Sequence, residues 1–371
     1  MNFYQSKWTE VDSLERKGLP KSALEVVNEI LAKAKSDKNT EQVIKSFIFR
    51  LKYKNSNEEK AFEKLCYELD SAIKEAAFPD KAIMHSMLAD MYWWYYQNNR
   101  YKFQNRSNTV NFDNTDMETW TLDHLVNVMI INYNQSLANK EELQKISTEK
   151  YKELIYSGTK PKILRPSLYD FLAHKAVDFF SNTEIALTKP ADNFELREDF
   201  YFSDANKFIS EDITTSDTLS LHFMLSQIFL DLLKFRLKRK NEVEALIDAD
   251  LKRLKFAYAH SVHNNKESLY LDALTKLENE YNSNPFSGEV SLAIAQYYYN
   301  LSGNYDPLSK TTDKYKNFRV KAHEICNRVI EKFPNTNATE HCKQLIITIE
   351  THNLSFNTES IVMPDAKFSA K

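Results

Sequence analysis

Apolar positions recur at three- and four-residue spacing along most of the chain, broken by short polar turns, and this pattern predicts helices nearly throughout. Residues 4–16 carry Trp8, Val11 and Leu14 on one face; Gly18 ends that helix and Pro20 starts the next, which runs to about Ala34. The polar break Ser36-Asp37-Lys38-Asn39-Thr40 precedes a helix over 41–53. Asn55-Ser56-Asn57-Glu58 caps a fourth over 59–76, which closes at Phe78-Pro79, and a strongly aromatic fifth follows over 81–98. The same grammar returns from about Lys266, with helices over 269–281, 289–301, 318–332 and 338–351 and turns at Asn284-Pro285 and Phe333-Pro334. The middle is less regular. It reads as an asparagine-rich loop over 101–118, a helix over 122–137, at most a short helical hairpin over 141–156, and a helix over 167–180 capped by Pro166-Ser167. An irregular aromatic stretch over 189–217 and long helices over 219–240 and 242–259 complete it. From Leu354 to Pro364 the helical period gives way to alternation. A lone strand is unstable, so this tail is expected to lead into a β domain beyond the sequence in hand.

The expected fold class is all-α. Helix starts at Tyr4, Thr40 and Lys81 are spaced by about 34 residues or somewhat more, which resembles a tetratricopeptide-like repeat. The expected architecture is a tetratricopeptide-like helical-repeat solenoid with an irregular middle insertion and a short C-terminal strand-like tail. Its divisions are 1–100 (N-terminal repeats), 101–265 (irregular helical middle), 266–353 (C-terminal repeats) and 354–371 (tail). Helix pairs of this kind cannot bury their faces alone. They stack, and stacking creates a docking surface rather than a catalytic pocket.

Composition narrows the chemistry. The 371 residues are 42% hydrophobic and 27% charged, ordinary for a globular chain, and the net charge of −3 argues against a general nucleic-acid binder, which needs a basic face. The four glycines, Gly18, Gly158, Gly288 and Gly303, lie too far apart for a dinucleotide fingerprint or a phosphate-cradling loop. Three widely spaced cysteines, Cys66, Cys326 and Cys342, fit neither a disulfide framework nor a zinc site. Cys326 and Cys342 fall on adjacent predicted helices, where a disulfide is the lesser reading and two small buried apolar residues the favoured one. No stretch is apolar enough to span a bilayer; the nearest, 219–235, is interrupted by His222, Gln227, Asp231 and Lys234. The start, Met1-Asn2-Phe3-Tyr4-Gln5, is no signal peptide, and is compatible with a targeting segment removed upstream.

Each candidate site has a structural alternative. The run Met91-Tyr92-Trp93-Trp94-Tyr95-Tyr96 offers partner contacts at Tyr92, Trp93, Tyr95 and Tyr96, or simply core packing; Tyr297-Tyr298-Tyr299 poses the same choice. Lys234, Arg236, Lys238, Arg239 and Lys240 form an anion site or a favourable helix C-terminus, offset by Glu242 and Glu244. His260 and His263 stand close in sequence, but Asp248 and Asp250 are too far along the helix to complete a metal set, so neither a metal nor a cofactor is expected. His85 and His174 read as hydrogen-bonded core histidines. No nucleophile elbow, paired-carboxylate motif or metalloprotease His-Glu pair is present, and the chain is expected not to be an enzyme.

Three segments resemble the N-terminal helical region of large alpha-2-macroglobulin-like proteins of Bacteroidetes-type bacteria. They are Trp8 to Leu24, His85 to Trp93 with Asn98-Asn99-Arg100, and, most specifically, Leu164-Arg165-Pro166-Ser167-Leu168-Tyr169-Asp170-Phe171-Leu172-Ala173-His174-Lys175-Ala176. The resemblance implies a helical module ahead of β-sandwich domains, in a parent that traps proteases. It also implies a periplasmic or outer-membrane-associated location, with any membrane attachment through an anchor outside this chain. The family's bait segment and Cys-Glu-Gln thioester are absent, so no functional residue carries over. The expected role is a non-catalytic protein-protein interaction or scaffold module, its partner either downstream domains of the parent or another envelope protein. The alternative is a carbohydrate- or peptide-binding module of a bacterial envelope system, which requires an exposed tryptophan at Trp93, Trp94 or Trp120.

Overall fold

The computed structural model describes residues 2–53, 60–104, 116–152, 154, 162–182 and 193–351. The protein is all-α: no strand occurs among the described residues, only isolated bridges pairing Ser147 with Ser167 and Leu196 with Ser261. The tail at 354–371 lies outside the described residues. The helices are α1 (Phe3–Arg16), α2 (Pro20–Ser36), α3 (Thr40–Tyr53), α4 (Ala61–Glu75), α5 (Asp80–Asn98), α6 (Arg100–Gln104), α7 (Leu122–Leu137), α8 (Lys140–Leu143), α9 (Leu168–Phe180), α10 (Ala205–Phe208), α11 (Leu221–Leu237), α12 (Val243–His260), α13 (Lys266–Glu280), α14 (Ser287–Ser302), α15 (Phe318–Lys332) and α16 (Asn337–Glu350).

Their ends follow the capping chemistry of the sequence. Asn2 with Gln5 and Ser167 with Asp170 close reciprocal capping boxes on α1 and α9, and Thr121, Ser220 and Thr336 cap α7, α11 and α16. Gly18 adopts φ +70 after α1. Its amide donates to Glu15 and the Leu19 amide reaches back to Leu14, which satisfies the last carbonyls. The turn after α2 has the same hydrogen bonds but places Lys38 at φ +52, where a side chain costs about 1 kcal/mol relative to glycine. One expectation needs correction. The loop read over 101–118 begins as helix α6 and contains a 3-10 turn at Met117–Thr119, both too short to carry a hydrophobic period.

The chain forms two compact units. One comprises Met1–Phe200, Ala205–Phe256 and His260–Val262; the other comprises Tyr201–Asp204, Ala257–Ala259 and His263–Lys371. In the first, the Tyr4 hydroxyl at the start of α1 donates to Asp37 beyond the end of α2 (2.8 Å). Trp8 donates to Gln42 at the start of α3 (2.6 Å), and Tyr53 at the end of α3 donates to Glu15 at the end of α1 (2.7 Å). So α1 and α3 run the same way with α2 reversed between them, burying Trp8, Val11, Ala23, Val27 and Ile30. Helix α5 is apolar nearly all round because it is central, packing on α3, α4, α7 and α9. In the second unit, Asn337 at the start of α16 donates to Glu289 near the start of α14 (3.0 Å), while His323 near the start of α15 meets Glu350 at the end of α16 (2.9 Å). Neighbours α15 and α16 are therefore antiparallel. Gly288 sits where α14 meets the next hairpin: a Cβ there would lie 3.2 Å from the Ala338 and Phe333 side chains.

Candidate functional site

In the first unit, a groove of about 730 Å³ opens where the α2–α3 turn faces the last turns of α4. That size falls within the roughly 300–1,000 Å³ of ligand sites. Ala34, Val43, Ala72 and Met84 supply an apolar floor; Lys35 and Lys38 stand on one wall, Glu68 and Glu75 on the other. The left-handed backbone at Lys38 brings this lysine to the rim. Glu68 is held by an ion pair to Arg50, a buried guanidinium lying over the Phe47 ring (5.6 Å). The Tyr67 hydroxyl, also in the groove lining, accepts the Met117 amide (2.8 Å), which ties α4 to the Met117–Thr119 turn. The groove thus offers opposite charges across an apolar strip, the arrangement that suits a protein segment carrying both charge signs around apolar residues.

The aromatic run lies on α5, with its positions divided between core and surface. Tyr92, Tyr95 and Tyr96 are buried, Tyr92 at 3% exposure against Trp120 (5.5 Å), Tyr95 stacked on Phe62 (6.0 Å) and Tyr96 against Phe103 (5.8 Å). Trp93 is half-buried, stacked on Tyr96 (5.5 Å) and edge-on to Phe179 (5.8 Å). Trp94, which the contact set left out, is 41% exposed beside Phe62 (4.7 Å), while Trp120 is buried. The helical period explains the division: positions 91, 92, 95 and 96 share the face that packs inward, and 94 points the other way. Tyr297 is buried and Tyr298 and Tyr299 are partly buried in the second unit.

The basic cluster at the end of α11 is reorganised by burial. Arg236, 1% exposed, pairs with Asp170 of α9 (3.1 Å) and with Glu242, and lies over the Phe235 ring (4.0 Å). Beside it, Arg165 pairs with Asp248 (2.7 Å), and His174 Nε2 lies 3.8 Å from the same carboxylate, so His174 is buried as expected, beside a carboxylate but at more than hydrogen-bond distance from it. His85 contacts Asn132 (2.8 Å). Burial pushes the Asp170 carboxyl up, and Arg236 and Ser167 pull it back. This network uses most of the polar residues of the segment carrying the strongest resemblance, and its role here is to lock α9 to α11 and α12.

His260 meets His222 rather than completing a metal set: the two rings lie 4.3 Å apart, with Phe256 against both. Among the described residues no group of three or more His, Cys, Asp or Glu converges for a metal ion. Burial first, then His260, lowers His222 from its ordinary 6.5 to about 4. A histidine depressed on folding is protonated in the unfolded chain before the folded one. Its contribution is therefore complete above pH 6.5 and is lost as pH falls toward 4. Because the ring is partly exposed, the expected loss is about 2 kcal/mol rather than the full shift. Urea midpoints at pH 7.5 and 4.5 check this: His222→Gln is expected to flatten the pH dependence.

The second unit holds a smaller, polar cavity of about 330 Å³. In it Glu278 binds both Ser291 and Arg328 (2.7 Å to Arg328), and Lys332 donates to the Asn282 carbonyl (2.7 Å). Glu278 and Arg328 offset one another there. No helix among the described residues is long and apolar enough to cross a membrane. Comparison with family models, curated proteins and solved structures returns no match for the chain.

Sequence reasoning missed the groove because its walls come from two turns far apart in the chain. The only linear signal was the polar break at Ser36-Asp37-Lys38-Asn39-Thr40.

Proposed function

We propose that this chain is a tetratricopeptide-like helical array that works without catalysis, by docking a protein segment in the groove between the α2–α3 turn and the end of α4. The observation that carries the reading is the groove itself, an apolar floor between a lysine wall and a glutamate wall. The alternation of direction through α1, α2 and α3, and again through α14, α15 and α16, supports the repeat architecture. The resemblance at Leu164 to Ala176 supports placing the chain as the N-terminal module of a macroglobulin-like envelope protein, with partners among the parent's own downstream domains or other envelope proteins. Translating the reading frame that follows codon 371 tests this parentage. Repeated β-sandwich patterns are the expected result; a stop codon or an unrelated fold would overturn it.

A second reading, glycan binding, is favoured by one observation: Trp94 presents a ring to solvent beside Phe62. Titration with envelope oligosaccharides, followed by tryptophan fluorescence, tests it. A response abolished by Trp94→Ala would establish this reading, and an unchanged signal at millimolar sugar would remove it.

A further inference from the structure

Cys326 and Cys342 face each other across the antiparallel hairpin of α15 and α16. Both are fully buried, and they share a cluster with Ala295, Ala322, Val329 and Ala338. Small side chains at these positions allow two helices to approach closely, and both thiols lie on that buried seam. Their register agrees with that of Val329 and Ala338, about one turn further on, whose side chains both lie beside Gly288, so the placement belongs to the hairpin's ordinary packing. A disulfide demands close Cβ atoms on facing elements, which is the arrangement a packed hairpin offers and widely spaced cysteines rarely have.

We propose that Cys326 and Cys342 are a redox couple, a dithiol that a small-molecule or protein disulfide converts to an intramolecular bond stapling α16 to α15. In the first step the Cys326 thiolate attacks one sulfur of the oxidant and releases one thiolate, forming a mixed disulfide. In the second, Cys342 loses its proton to solvent and attacks the Cys326 sulfur, releasing the second thiolate. The protein's two thiols give up two protons and two electrons; the oxidant's disulfide takes the electrons and leaves as two thiols. Cys342 beside it lowers the Cys326 thiol, whereas Cys326 and burial raise that of Cys342, which makes Cys326 the first to attack. Access comes from local opening of α16, which buries only Ala338, Thr339 and Cys342 and so has little core to break. Cys66 is an internal control. It lies in the other unit, and burial pushes its thiol well up.

The test uses the full chain, unfolded under reducing conditions and refolded across a range of reduced and oxidised glutathione, so that access to the thiols does not limit the result. A non-reducing peptide map is expected to show a Cys326–Cys342 link, with Cys66 still open to alkylation. Amides of α15 and α16 that exchange through unfolding are expected to slow by about a hundredfold in the linked form, the effect of closing a loop of this length. Cys326→Ser and Cys342→Ser, each a small change, should abolish both the link and the slowing. The proposal is overturned if the two thiols remain alkylatable at every glutathione ratio. It is equally overturned if they carry glutathione adducts instead of the link, or if Cys66 pairs as readily.

Discussion

Asp170→Ala is expected to destabilise the chain by about 3–5 kcal/mol, because it leaves the Arg236 guanidinium buried without the one of its two carboxylates that is itself buried. Arginine stays charged at any accessible pH, and at 1% exposure water cannot replace the lost carboxylate. The same carboxylate accepts from the Ser167 amide (3.0 Å) and hydroxyl (2.6 Å), so the substitution also opens the start of α9. Asp170→Asn, which keeps part of the cap but not the charge, should fall between. The double variant Asp170→Leu with Arg236→Met should recover much of the loss, since removing both charges removes the desolvation problem with them. Urea unfolding of the four proteins checks this. A loss below about 1 kcal/mol for Asp170→Ala would mean that Glu242 alone satisfies Arg236.

Tyr92→Ala and Tyr95→Ala are expected to cost about 3–5 kcal/mol each, as truncation of a large buried ring does. Tyr92 leaves a void against Trp120, and Tyr95 a void against Phe62. Trp94→Ala, one position away from Tyr95, is expected to cost clearly less, about 1 kcal/mol, because Trp94 is already 41% exposed. The contrast separates stability from recognition along a single helix. Equal losses at all three positions would mean that α5 has no outward face at Trp94. Any affinity change measured at Tyr92 or Tyr95 has to be corrected for the fraction unfolded.

Much of the fold was legible from capping chemistry and helical period. Thr121 and the run after it place α7 at 122–137, and α15 falls at 318–332, as the spacing predicted. Boundaries drifted where good helix formers run past the end: the basic residues after Leu237 extend the pattern but not α11, which stops there. The aromatic run was legible as a helix but not as to which ring faces outward, because a helix that is apolar on most sides carries little directional information. The ion network was invisible for a different reason. Arg236 belongs by sequence to a solvated basic cluster, and only the packing of α9 against α11 brings Asp170 to it. Cys326 and Cys342 were legible as small buried residues on adjacent helices, and both lie in one buried cluster.

The most direct test of the docking groove is a peptide-display selection on the folded chain, repeated against Ser71→Trp. Ser71 is exposed and lines the groove, so a tryptophan there fills the site without disturbing the core. The account predicts enriched peptides with apolar residues flanked by both charge signs, binding at least about tenfold more weakly to Ser71→Trp while its unfolding midpoint stays unchanged. Peptides that bind the two proteins equally, or a selection that enriches nothing, would contradict it.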